Sequence, residues 1–196
     1  MTTIPFSADR WGPLDAAHAL EGSVCGDSLT HTTVGDTDWW RTTARHQVDG
    51  PVRGFWHPVG EGLEVSVELS ISTRRRTLFL YVSPTRWVKA GIEFDDGALW
   101  NGAVVTNPYS DWSKSRRGPA DSARYTISYG GNVVQIYLGD EMIRQVMWFG
   151  PTRDGDADVD AEVDRVFVGV MACSPQEGGA EVSWRNFTLK TGARPH

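Results

Sequence analysis

The chain has 196 residues, enough for one domain with a large core and few for two. It carries 19 Lys and Arg against 25 Asp and Glu, a net charge of −6 that provides no electrostatic footprint for nucleic acid. No apolar run approaches the ~18 residues of a membrane span, and "MTTIPFSADRWGPLD" has no charged-then-apolar leader pattern, so a cytoplasmic protein without a membrane partner is expected.

Taken in chain order, residues 1–28 read as an irregular lead-in to a single domain spanning 1–196, with at most one or two helical turns in "LDAAHAL" (14–20). "LEVSVELSI" puts Leu63, Val65, Val67, Leu69 and Ile71 on one face of a half-buried strand. Arg74-Arg75-Arg76, the one dense basic cluster, reads as a solvated turn before the apolar strand "TLFLYV" (77–82). "WVKAGIEFDDGALWNGAVVT" (87–106) is a hairpin turning at Asp96-Gly97, a strong type I′ signal. A second hairpin covers 123–139 and turns at or near Gly130-Gly131. "MIRQVMWF" (142–149), "RVFVGVMAC" (165–173) and "AEVSWRNFTLK" (180–190) complete a set of short strands separated by turn residues, the pattern of an all-β sandwich or barrel. "TRDGDADVDAEVD" (152–164) reads as a solvated acidic loop; it has Val159 and Arg165 where a calcium-binding loop needs Gly and Glu.

The first hairpin also suggests a surface. A two-residue turn sets Glu93 opposite Trp100, Gly91 opposite Gly102, Lys89 opposite Val104 and Trp87 opposite Thr106. Phe94/Leu99, Ala90/Ala103 and Val88/Val105 form the core face, where Asn101 opposite Ile92 is out of place. Two adjacent glycines leave the middle of the first face bare, which suits close approach of a ligand or accommodates a large side chain from another layer. Lys89 and Glu93 are roughly 13 Å apart along the strand, a span that fits a polar ligand between them. A sugar ring, with one apolar face and a hydroxylated rim, would stack on Trp87 or Trp100. Asp111 and Trp112, in "YSDWS", and Arg144 and Trp148, which share a strand face, are further candidates for the cleft wall.

Alternatives stand beside each candidate. Asp111 also reads as a cap for its own turn, with Trp112 packed beneath. Glu93 and Asp95 lie about 6.6 Å apart on one face, a spacing used by retaining glycosidases, but Asp95 adjoins the turn. Cys25 and Cys173 belong to no CxxC pattern and read as buried free thiols, a mutual pairing staying open. The five histidines lack ligand spacing, so no metal or cofactor is expected.

"WVKAGIEFDDG", "VVTNPYSDWS" and "GVMACSP" resemble, in order and spacing, segments of the bacterial "regulation of enolase protein" family, and "TDWW" (37–40) resembles its Asp-aromatic-Trp segment. The resemblance runs from about residue 37 to 190 and brings Trp40 into the candidate set. It implies a concanavalin A-like jelly roll of two twisted antiparallel sheets, one of them concave. The family's Asp-Gln-Ala-Gly segment is missing; Arg76 and Thr77 stand roughly where its acid and amide would be. The resulting expectation is a binding protein for a small, carbohydrate-like ligand. Lys89 and Glu93 would supply polar contacts, and Trp87, Trp100, Gly91 and Gly102 the platform and space. One rival is an enzyme with Glu93 as general acid/base and Lys89 stabilising negative charge. Another is a protein-interaction module using exposed Trp surface.

Overall fold

Strict alternation builds the architecture. In β7 (Leu63–Ser70), Leu63, Val65, Val67 and Leu69 are fully buried while Glu64, Glu68 and Ser70 are partly exposed. Such a strand must bury one face against another layer. The computed structural model, which describes residues 1–70, 76–118, 122–147 and 163–192, supplies that layer.

The first sheet runs β14 (Glu141–Met147), β13 (Val133–Leu138), β12 (Ser122–Gly130), β7, β16 (Glu181–Thr191), β3 (Ser28–Thr32) and β2 (Ser23–Cys25), with β1 (Thr2–Thr3) on β16. The second runs β11 (Ser110–Arg116), β10 (Ala98–Thr106), β9 (Arg86–Asp95), β8 (Arg76–Ser83), β15 (Arg165–Ala172) and β6 (Val52–Pro58). A separate ribbon joins β4 (Trp39–Arg41) to β5 (His46–Val48). The fold is the concanavalin A-like jelly roll, two twisted antiparallel sheets face to face. The main core lies between them, with Val65, Val67 and Ile127 from the first sheet meeting Leu80, Val88 and Val168 from the second.

The hairpin register follows from its turn. Asp96 and Gly97 both have positive φ, 48° and 72°, as a type I′ turn requires. Asp95 then pairs with Ala98, Glu93 with Trp100, Gly91 with Gly102, and Trp87 with Thr106. Gly131 and Asn132 turn the second hairpin the same way, with φ of 57° and 63°. The segment 14–20 holds one short 3-10 turn, Ala16–His18, whose Asp15 side chain accepts from the Ala17 and His18 amides. The N-terminal stretch also feeds the core: Phe6 and Trp11 are buried against Phe187.

Asn101 has its explanation across the sandwich. The Tyr125 hydroxyl, on β12 of the opposite sheet, donates to Asn101 Oδ1 at 2.6 Å. Burial keeps that hydroxyl protonated far above the ordinary tyrosine range. Tyr125→Phe leaves a buried amide oxygen without its donor and is expected to cost about 1–2 kcal/mol. Urea unfolding measures it; a loss below a few tenths of a kcal/mol counts against this bond as a core element. Both cysteines are free, so they do not pair; Cys173 is buried, but Cys25 is exposed, contrary to the expectation for a small hydrophobe. Ile71, Arg74, Arg75, Trp148 and the acidic loop 152–162 lie outside the described residues.

Candidate functional site

The central strands of the second sheet, β9, β8 and β15, are buried on both faces over most of their length. The sheet's outer face carries Phe79, Trp87, Lys89, Glu93, Val104 and Phe167, and the β4–β5 ribbon covers part of it. Trp39 of that ribbon stands edge-on to Trp87, with ring centroids 5.6 Å apart, and to Phe79 at 4.8 Å. Its indole N–H donates to the Gly50 carbonyl at 2.7 Å. The other end of the ribbon is tied down where the Arg41 amide donates to Ser110 Oγ at 2.9 Å, which in turn meets Thr106 Oγ1 at 2.8 Å.

What the ribbon leaves open is a recess of about 230 Å³ lined by Asp38, Trp40, Arg45, Lys89, Glu93, Val104, Trp112 and Pro175. Lys89 Nζ donates to Asp38 Oδ1 at 3.1 Å, and both side chains are more than nine-tenths buried. Burial opposes the lysine's charge, but Cys173, Asp38 and Glu93 together outweigh it and hold Lys89 above the ordinary lysine range. Arg45, half exposed, stands 3.7 Å from the other Asp38 oxygen at the mouth. Trp112 is 38% exposed and borders the opening, with Lys114 Nζ 4.9 Å from its ring centroid. The recess thus presents two indoles and four charges of balanced sign.

Several expected site residues have other tasks. Trp87 is fully buried beneath Trp39, so it forms floor and offers no stacking surface. Thr106 is also fully buried and holds Ser110 and, through it, the ribbon. Gly91 makes no space for a ligand: a Cβ there would lie 2.2 Å from the Arg76 carbonyl oxygen on β8, so the neighbouring backbone fills the position. Gly102 makes space for Glu93, whose Cδ would be 2.4 Å from an added Cβ. Glu93 lies folded across Gly102 and is itself 4% exposed. Trp100 stands opposite Glu93 but donates its N–H to the Asp95 carbonyl at 3.0 Å and lies under Lys114, 4.5 Å from its centroid. Asp111 and Arg144 lie off this outer face. Arg144 reaches from β14 to Asp111 Oδ2 and to Ser113 Oγ, both at 2.8 Å, and so joins the edges of the two sheets. Trp148 is outside the described residues.

Asp95 is salt-bridged to Lys114 and lines a neighbouring recess of about 280 Å³ with Phe94, Asp96 and Glu177, which does not include Glu93. The site residues that sequence reasoning missed are Asp38, Arg45 and Pro175. Asp38 was within reach, since it sits in the "TDWW" segment that supplied Trp40; Arg45 carried no signal. Among the described residues no group of three or more His, Cys, Asp or Glu side chains could hold a metal ion, and no helix is long and apolar enough to cross a membrane.

The family model "Protein of unknown function (DUF1349)" matches residues 18–192. The chain belongs to this family. The DUF1349 match is accompanied by a relative in Saccharomyces cerevisiae, "Regulation of enolase protein 1", 27% identical over 175 residues and covering 82% of this chain and 80% of that protein. This relative is from a yeast, so a bacterial origin is not shown. A crystal structure of a functionally unknown S. cerevisiae protein superposes with a TM-score of 0.72 at 23% identity, covering 93% of this chain and 96% of that one. The carbohydrate-binding module CBM66 from Bacillus subtilis superposes with a TM-score of 0.54 at 11% identity, covering 93% and 96%. At these identities the two structures establish the DUF1349 fold alone.

Proposed function

We propose that the protein binds a small polar, carbohydrate-like ligand in the recess between the β4–β5 ribbon and β11. The observation that carries this reading is the pairing of indole surface, on the exposed Trp112 and the partly exposed Trp40, with convergent hydrogen-bonding charges on Asp38, Arg45, Lys89 and Glu93. A sugar ring needs both: stacking for its C–H face and directional partners for its hydroxyls. The fold shared with a carbohydrate-binding module supports the reading by analogy. The stacking role moves from Trp87 and Trp100 to Trp112 and Trp40, and the polar role of Lys89 and Glu93 stays.

Trp112→Ala is expected to weaken binding roughly tenfold or more while leaving the fold within about 1 kcal/mol of wild type, because the ring is at the surface. A thermal-shift and intrinsic-fluorescence panel of neutral sugars, sugar phosphates and sugar acids finds the ligand. If no sugar of the panel produces a saturable shift that Trp112→Ala removes, the reading fails.

A catalytic use of the same recess has one observation in its favour: a carboxylate more than nine-tenths buried, Glu93, shares a cleft with a lysine held protonated. Turnover of a bound sugar that disappears in Glu93→Gln, with binding retained, would replace the binding reading with this one.

A further inference from the structure

The inner face of the second sheet begins with a charge that no hydrogen bond among the described residues compensates. Arg76 opens β8 and is completely buried. Its Nε, Nη1 and Nη2 have no hydrogen-bond partner among the described residues. Taking an ion out of water costs several kcal/mol unless an opposite charge or a full set of hydrogen bonds compensates. Among the described residues Arg76 has neither of these.

The strand register identifies those side chains. Arg76 pairs with Ile92, and Ile92 with Asn101. Arg76 and Asn101 therefore stand on the same inner face two strands apart, about 10 Å at ~4.8 Å per strand. Tyr125 descends from the opposite sheet and is fixed to Asn101 at 2.6 Å. Arg117, just beyond the end of β11, is close enough to Arg76 and Tyr125 for its charge to act on both. The second cation makes the first harder to accommodate. Burial foremost, and then Arg117, bring Arg76 down to about 10, which still leaves it charged at neutral pH. Glu93 acts on Tyr125 as well, but it projects from the other face of the sheet, beside Lys89.

A buried guanidinium without hydrogen-bond partners, with a second cation near enough to act on it, is suited to a specific partner. The planar fork of arginine matches the two oxygens of a carboxylate or two oxygens of a phosphate. We propose that Arg76 and Arg117, braced by the Tyr125–Asn101 pair, form an oxyanion site that takes the carboxylate or phosphate of a small anionic metabolite. Arg117 is partly exposed and Gly118 exposed, and the anion enters at this end of β11. The site lies on the opposite side of the second sheet from the sugar recess and does not depend on it.

The test is a thermal melt of the full chain at fixed ionic strength, with chloride replaced stepwise by inorganic phosphate in one arm and by succinate in the other. One arm is expected to raise the wild-type Tm saturably by several degrees, and which arm does so identifies the oxyanion. Phosphate also stabilises folded proteins by exclusion from their surface, so the measured quantity is the excess over Arg76→Met. In that variant the excess vanishes, and in chloride alone it melts at or above the wild-type temperature because the unbalanced charge is gone. Arg117→Gln, at the accessible end, weakens the response at least threefold. Should Arg76→Met fail to fold, the arginine Nε–H resonances of ¹⁵N-labelled wild type report instead, and one of them shifts saturably with the effective anion. A wild-type Tm that follows Arg76→Met in both arms, or arginine resonances indifferent to both anions, overturns the proposal. Sugar binding in the recess is unchanged by Arg76→Met, so the two readings fail separately.

Discussion

Lys89→Met lowers stability by about 3–5 kcal/mol, the usual cost of removing one member of a buried ion pair. Methionine fills nearly the same volume, so the loss is electrostatic. Asp38 and Glu93 remain below 9% exposure, and the ammonium that faced them is gone. In a chain of this length the melting temperature falls by roughly 2–4 °C per kcal/mol. The pH dependence follows from the direction of the lysine's shift. Its pKa in the folded protein is raised, so the folded state holds the proton more tightly than the unfolded chain does. The resulting stabilisation is fully present below the ordinary lysine value of 10.5 and is lost as pH climbs through the higher folded value. The gap between wild type and Lys89→Met is therefore flat from pH 7 to about 10 and narrows above that. Guanidinium titrations at a series of pH values measure it. A variant within 1 kcal/mol of wild type at pH 7 would show that the Asp38–Lys89 pair contributes little.

The second large effect separates two glycines that face each other across one ladder. Gly91→Ala forces a Cβ to within 2.2 Å of the Arg76 carbonyl oxygen and 2.7 Å of the Thr77 Cα. Both are backbone atoms in the middle of a sheet and cannot step aside without breaking ladder bonds. Overpacking of this kind costs typically 1–3 kcal/mol, and here the upper end or more is expected. For Gly102→Ala the three nearest atoms to the new Cβ all belong to the side chain of Glu93. That chain can swing, so the fold survives with a smaller loss, but the carboxylate leaves its place in the recess. Stability and ligand titrations of the two variants are expected to diverge: Gly91→Ala chiefly loses stability, and Gly102→Ala chiefly loses binding. Equal stability losses for the two would show that the side chain of Glu93 is as immovable as the β8 backbone.

These two positions also show how much of the molecule could be read in advance. The hairpin register was legible because Asp96-Gly97 leaves one turn geometry, and a period of two then fixes every pair as far as Trp87 and Thr106. From that register alone the adjacent glycines were visible, but what fills them was not. Gly91 is occupied by a neighbouring strand, and Gly102 by a residue on its own hairpin. The burial of Trp87 could not be foreseen either. A strand covered on one face looks the same in sequence as one whose second face is roofed by a distant ribbon, and the roof comes from Trp39, 48 positions earlier. Asn101 was recognisable as an anomaly, yet its partner Tyr125 lies on the other sheet. Arg144 shows the same limit: its strand was read correctly, but its reach to Asp111 depends on how closely the sheet edges approach.

That last contact has a consequence for how the molecule meets copies of itself. Outermost strands present unpaired amides and carbonyls to which another chain can add a strand. On this side of the sandwich β11 and β14 are both outermost, and Arg144 links them through Asp111 and Ser113. Farther along β11, Lys114 and Arg116 carry positive charge beside Trp100. An approaching copy would have to detach a guanidinium from its carboxylate and bring lysine and arginine against their own kind. Asp111 and Arg144, expected to line a cleft, thus clamp together the two outermost strands of this side.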